Sequence, residues 1–195
     1  KIEAIEKLSS DIADARENFE RIMLVSSGAI GAGLPALGYV GIRPTDPRVL
    51  QAASAVGQPR LMATYSEIFL KYEIEVAQLL MAPDDFFVRK RYLHAKATIE
   101  ELLSAGILPI VNENDAIADD AIRWGDNDRI AALLAQLVNA NHLLMLTDTK
   151  GIYSRDPKMS NEEESELILQ IDSQEDLVAQ IGGSSNAQGS GGMAS

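Results

Sequence analysis

The sequence predicts an α/β fold, a three-layer α/β/α sandwich with a mainly parallel central sheet, and three observations carry that expectation. Strand-length apolar runs alternate with helix-length amphipathic ones along the chain. The strand-length runs, such as Ile107-Leu108-Pro109-Ile110-Val111, are nearly all apolar instead of alternating, as strands are when helices cover both faces of a sheet. Three of the runs end in polar groups, at Ser27-Gly28, at Asn112 to Asp115 and at Thr147-Asp148. In an open parallel sheet the ligand groups gather beyond the carboxyl ends of the strands, so the three ends are expected to converge on one edge.

Each element has its own local reason. Residues 1 to about 18 place Ile2, Ile5, Leu8, Ile12 and Ala13 along one helical face. Arg21-Ile22-Met23-Leu24-Val25 reads as a short buried strand, followed by the turn Ser26-Ser27-Gly28-Ala29 and a glycine-rich helical segment in which Gly31 and Gly33 let backbones come close. Gly41 to Pro47 is a loop. Residues 49–72 read as helix, broken near Gly57-Gln58-Pro59. Glu75 to Met81 is the next strand, and a helix over 89–104 stops at Gly106, a C-cap residue. The strand at 107–111 leads into Asn112-Glu113-Asn114-Asp115. A helix begins near Asp128, after Gly125-Asp126-Asn127, and the apolar run 141–146 reaches Thr147-Asp148. Residues 158–176 are acidic and polar, and 182–195 are rich in Gly and Ser, which read alone is a flexible tail or linker.

Bulk composition narrows the function. At 195 residues the chain suits one domain with a real core. A formal charge of −12 argues against a nucleic-acid footprint, and no apolar run is long enough for a bilayer. The same charge means that an anionic substrate must find local positive groups. Without cysteine there is no thiolate chemistry, and His94 and His142 are too few and too far apart for a zinc site. No signal peptide is visible at Lys1, so a cytoplasmic protein is expected.

The polar clusters carry the chemistry. Asn112 to Asp115 mixes carboxylates, which take an ammonium, with carboxamides, which take a carboxylate, and so suits a zwitterion. Asp126, Asn127 and Asp128 exceed what one helix cap requires, and such a group can orient lysines or water-bound Mg²⁺. Ser26 to Ala29 is either a structural turn or a backbone anion site, and it lacks the P-loop pattern. Thr147-Asp148 with Lys150-Gly151 is either a turn or a nucleotide-contacting strand end. The basic run Arg89-Lys90-Arg91, with His94 and Lys96, reads as a solvated helix face or a subunit contact.

Taken together, Leu108 to Asp115, Gly125 to Asp128, Leu146-Thr147-Asp148 with Gly151-Ile152-Tyr153, Val25 to Ile30 and Ala55 to Gln58 resemble the amino acid kinase family, and within it the glutamate-phosphorylating members. The resemblance covers the whole chain and implies a single amino acid kinase domain over 1–195. It implies that the family's first strand and C-terminal segment, each bearing a lysine, fall outside this sequence. By the same resemblance Ser27, Asn112, Asp115 and Asn127 bind glutamate, and Asp126 lines that pocket. Asp128 holds the catalytic lysines, and Thr147 and Asp148 meet the nucleotide. Ser190, Gly191, Gly192, Met193, Ala194 and Ser195 are similar to the family's glycine-rich nucleotide loop. The implied reaction moves the γ-phosphoryl of ATP, with Mg²⁺, onto the side-chain carboxylate of L-glutamate, the first step of proline biosynthesis.

The resemblance also implies a homo-oligomer, with Tyr92 and the 89–104 helix as contact candidates, feedback inhibition by proline and a functional link to glutamyl-phosphate reductase. Two rival readings remain open at this point. One is a non-catalytic amino-acid-binding module derived from such a kinase. The other is a kinase for another small carboxylate, such as aspartate.

Overall fold

The chain opens on an amphipathic helix, α1 (Ile2–Ala15), whose apolar stripe turns Leu8 and Ile12 toward the rest of the fold. It is the first element of a computed structural model that describes residues 2–117, 126–149, 151–154 and 166–173. Two compact units divide the chain, 1–143 and 144–195.

In the first unit, β1 (Leu24–Val25) is followed by the short helix α2 (Ala29–Gly33) and a 3₁₀ turn at Leu34–Leu37. Then comes α3 (Pro47–Leu70), started by Asp46, whose carboxylate accepts the Arg48 N–H at 3.0 Å, and by Pro47 in the first turn. β2 (Val76–Met81), the one-turn α4 (Asp84–Phe87), α5 (Arg89–Ser104), β3 (Leu108–Glu113), a 3₁₀ turn at Asp115–Ile117 and α6 (Asp126–Leu137) complete the unit. The strands form a parallel sheet in the order β1-β3-β2, with Leu24 opposite Ile110 and Gln78 opposite Ile110 on the other side.

β3 is central, and all six of its residues are buried. Side chains alternate between faces along a strand. Leu108 and Ile110 join Leu24, Leu61, Tyr65 and Phe69 in a core beneath α1 and α3. Val111 joins Met81, Ile99, Ile130, Leu134 and Leu137 in a second core beneath α5 and α6. Two cores on two faces of one sheet make the three layers expected from the all-apolar strands.

Three boundaries differ from expectation. Helix α3 runs unbroken through Pro59, although a proline in a helix interior removes a hydrogen bond and costs about 3 kcal/mol. Packing outweighs that cost, since Gly57, Gln58 and Leu61 around it are all buried. Gly57 is there for contact and not as a breaker. A Cβ on Gly57 would stand 1.8 Å from the Ala29 carbonyl oxygen, and one on Gly33 would stand 1.8 Å from that of Ala53. Helices α2 and α3 therefore cross backbone to backbone. The expected strand at 21–25 is regular only at Leu24–Val25.

The apolar run 141–146 is not a strand, and Leu144 is 81% exposed. A helix satisfies its own backbone, but a strand exists only through a neighbour's hydrogen bonds, and among the described residues no strand pairs with this run.

In the second unit, β4 (Ile152–Tyr153) and β5 (Leu167–Ile168) pair antiparallel, and the Ser154 N–H extends the ladder to the Glu166 carbonyl at 2.9 Å.

Candidate functional site

The site begins where the core beneath α3 stops being apolar. On β1 the residue after Leu24 on the α3 face is Ser26, on β3 the residue after Ile110 is Asn112, and on β2 the residue after Val76 is Gln78. Each of the three side chains meets a polar partner. Ser26 Oγ lies 2.9 Å from the hydroxyl of Tyr65, on α3. Asn112 Nδ2 donates to Gln58 Oε1, also on α3, at 2.8 Å, and Gln58 Nε2 donates to Gln78 Oε1 at 3.3 Å. Burial raises the pKa of Tyr65, and the hydrogen bond with Ser26 opposes that rise in part.

A backbone amide sets the polarity of this line. The Glu113 N–H can only donate, and it takes Asn112 Oδ1 at 2.9 Å and Asn127 Oδ1 at 3.2 Å. Asn112 must therefore turn its Nδ2 to Gln58, and Gln58 its own Nε2 to Gln78. Asn112 is 1% exposed, so an unpaired amide there would carry a desolvation cost of about 1–3 kcal/mol. The same N–H ties the end of β3 to the first turn of α6, where Asn127 sits.

Beyond Asn112, Asp115 opens the 3₁₀ turn and is half-buried, with its Oδ2 accepting from Ser54 Oγ of α3 at 3.1 Å. Ser54, Gln58, Gln78, Glu113, Asn114 and Asp115 line a cavity of about 150 Å³. A cavity of roughly 150 Å³ admits a molecule the size of benzene, a scale that fits a small amino acid side chain. A larger cavity of about 610 Å³ lies against β2 and α5, lined in part by Lys90, Arg91 and His94. Its Arg91 is paired with Asp85 at 3.1 Å, and Asp85 also accepts the Ala82 N–H at 2.8 Å. The smaller cavity is the one that holds the strand-end groups, and the candidate site is placed there.

The residues singled out in the sequence fall into three sets. Asn112, Asp115 and Asn127 come together at the carboxyl end of β3, linked through the Glu113 amide and α3. Ser27 is exposed in the turn after β1, next to Gly28, whose φ of +107° only glycine adopts readily. Asp128 is exposed in the first turn of α6. Thr147 and Asp148 belong to the second unit, where Thr147 Oγ1 accepts the Thr149 N–H at 3.2 Å in a local turn. The side chain of Asp126 lies outside the described residues, as do Ser190, Gly191, Gly192, Met193, Ala194 and Ser195. Among the described residues no group of three or more His, Cys, Asp or Glu could hold a metal ion, and no helix is long and apolar enough to cross a membrane.

Sequence reasoning gave no site role to Ser54, Gln58 or Gln78, although Gln58 closes one of the segments that carry the resemblance. The signal was present: Ser54, Gln58, Leu61 and Tyr65 follow the i, i+4, i+7, i+11 spacing of one helix face, and all four are buried.

Comparison with known proteins agrees with this architecture. A family model described as the amino acid kinase family matches residues 1–195. The chain is 41% identical over 194 residues to a glutamate 5-kinase of Citrifermentans bemidjiense, covering 97% of this chain and 50% of that protein. It is 42% identical over 194 residues to the glutamate 5-kinase of Thermus thermophilus, covering 100% of this chain and 51% of the relative. With the glutamate 5-kinase of Pseudomonas aeruginosa the identity is 45% over 175 residues, covering 88% of this chain and 46% of the relative. The chain thus spans about half the length of the curated relatives it matches. X-ray structures of isopentenyl phosphate kinase share the fold, with a TM-score of 0.55 at 18% identity over 90% of this chain and 74% of that one.

Proposed function

The chain belongs to the amino acid kinase family, and from that premise we propose that the protein it represents transfers the γ-phosphoryl of MgATP to the side-chain carboxylate of L-glutamate, giving glutamyl 5-phosphate and ADP. The observation that carries the reading is the cavity at the end of β3. It presents the carboxylate of Asp115, held by Ser54, beside Glu113 and the carboxamides of Gln58, Gln78 and Asn114, in a chain whose relatives at 41–45% identity are glutamate 5-kinases.

Asp115, steadied by Ser54, takes the ammonium of the amino acid. Asn112 and Asn127, fixed by the Glu113 amide, hold the shape of the pocket, and Ser27 contributes a hydroxyl from the turn after β1. Asp128, in the exposed first turn of α6, orients cationic groups at the transferring phosphoryl, while Asp126 lines the same pocket. Thr147, Asp148 and the segment Ser190 to Ser195 take the nucleotide. Both reactants are anions, so positioning and charge neutralisation carry the catalysis, and no covalent enzyme intermediate is required. Mg²⁺ arrives as part of the nucleotide substrate and keeps most of its ligands from water and phosphate.

The reading extends to a single domain over 1–195, a cytoplasmic homo-oligomer, proline as feedback inhibitor and a reductase that consumes the acyl phosphate. The test is hydroxamate formation by protein from the complete gene, with MgATP, hydroxylamine and a panel of glutamate, aspartate and acetylglutamate. Hydroxylamine traps an acyl phosphate, so the expected result is signal with glutamate alone. Signal only with aspartate would replace the substrate. Silence across the panel from folded protein would overturn the kinase reading.

A further inference from the structure

The N-terminal half of α3 carries two buried polar side chains, Ser54 and Gln58, one helical turn apart and facing the sheet. Neither belongs to the strand-end clusters, yet each is hydrogen-bonded to one of them, Ser54 to Asp115 at 3.1 Å and Gln58 to Asn112 at 2.8 Å. A buried hydroxyl and a buried amide on a core-facing stripe are costly unless satisfied, and here a strand-end group satisfies each of them. We infer that Ser54 and Gln58 are positioning residues for the acceptor substrate, Ser54 by fixing the carboxylate of Asp115 and Gln58 by fixing the amide of Asn112.

The physical argument is preorganisation. A carboxylate that must meet an ammonium loses rotamer freedom on binding, and a hydroxyl that already holds one oxygen removes part of that cost. The Ser54 hydroxyl donates, which also leaves the carboxylate its charge. Gln58 acts at one remove. With Asn112 Oδ1 committed to the Glu113 N–H, only an acceptor at Gln58 Oε1 satisfies Asn112 Nδ2 in a position that is 1% exposed. Helix α3 is itself held at this end, because its backbone meets that of α2 at Gly57 and Gly33. The two side chains are therefore presented from a fixed element.

This inference rests on the cavity being the acceptor site, and the experiment separates the two. In protein from the complete gene, steady-state kinetics are measured for wild type, Ser54→Ala, Asp115→Ala and the double variant, varying acceptor and ATP in turn. A hydrogen bond to a charged group is worth about a tenfold change in affinity. Ser54→Ala is expected to raise the acceptor KM about tenfold, to leave kcat and the ATP KM within about twofold, and to add nothing once Asp115 is alanine. Gln58→Met, which keeps the volume and loses the acceptor, is expected to raise the acceptor KM with the ATP KM unmoved.

An unchanged acceptor KM in Ser54→Ala would overturn the inference, and so would an equal rise in the Asp115→Ala background or an equal rise in the ATP KM. If wild type uses aspartate in place of glutamate, the substrate assignment falls while the same cycle, run with aspartate, still decides this point. A wild type that neither binds nor turns over any acceptor overturns both.

Discussion

Leu61, Tyr65 and Phe69 at one end of α3, and Ser54 and Gln58 at the other, lie on the same sheet-facing stripe and are buried to a similar degree. The first group packs on Leu24, Leu108 and Ile110, and the second hydrogen-bonds Asn112, near the carboxyl end of β3, and Asp115, just beyond it. The helix outlasts the apolar part of the sheet. Burial at the first end reflects the removal of apolar surface from water, whereas burial at the second reflects a network whose every member needs its partner. Exposure alone cannot tell the two ends apart, and substitutions can.

The largest contrast is expected from Phe69→Ala. Phe69 is 0% exposed and stacks on Tyr65 at a centroid distance of 6.2 Å, so its loss should lower stability by about 3–5 kcal/mol in chemical denaturation. Catalysis at a temperature where the variant stays folded should change little. If acceptor KM moved as much as stability, the division of the helix into two ends would be wrong.

Asp128→Asn should do the reverse. Turnover should fall at least about a hundredfold, which is close to 2.7 kcal/mol in the barrier, with the melting temperature nearly unchanged because the residue is exposed. Retained turnover would remove Asp128 from the reacting group.

Tyr65→Phe tests the boundary between the ends, since Tyr65 is apolar in body and hydrogen-bonded to Ser26 at its tip. It should cost about 1 kcal/mol at neutral pH. Burial raises the folded pKa of Tyr65 above its unfolded value near 10. The stability that comes from keeping this phenol neutral is therefore intact below about pH 10 and is lost as pH rises through the folded value. Alkaline unfolding curves of wild type and Tyr65→Phe should converge as pH climbs past that point, and a constant gap between them would count against it.

The smallest effect should come from the outward face. Arg60→Ala removes an exposed side chain that donates to the Ala32 carbonyl at 3.4 Å, and stability should shift by less than about 0.5 kcal/mol.

The sheet was legible because apolarity is a strong signal. Leu108, Ile110 and Val111 belong to a short apolar run bounded by Gly106 and by polar residues, which reads as a strand covered on both faces and puts the cluster that follows at its carboxyl end. Asn112 and Asp115 stood out because four polar groups after such a strand exceed what a turn needs, and Asn127 because Asp126, Asn127 and Asp128 exceed what one helix cap needs; that Asn112 and Asn127 share one backbone amide is visible only in the fold. The partners on α3 did not stand out. Ser54 and Gln58 are residue types that usually face water; their spacing with Leu61 and Tyr65 marks a buried face, but not which strand-end groups lie opposite it. Pro59 misled in the other direction, because local propensity says nothing of the contact at Gly57 that holds the helix through it. The run 141–146 shows the complementary limit. Its apolar residues meet the composition of a strand, but pairing is a property of two segments, and no described strand supplies the second.

The crossing at Gly33 and Gly57 has a consequence for how this molecule tolerates change. Each glycine is pressed against carbonyl oxygens of the opposing main chain, at Ala53 and Ala29. Most crowded positions in a protein can be rescued by shrinking a neighbouring side chain. Here the neighbour has no side chain to shrink, so no second-site substitution can make room. In a saturating library both positions should stand out as invariant under every suppressor background.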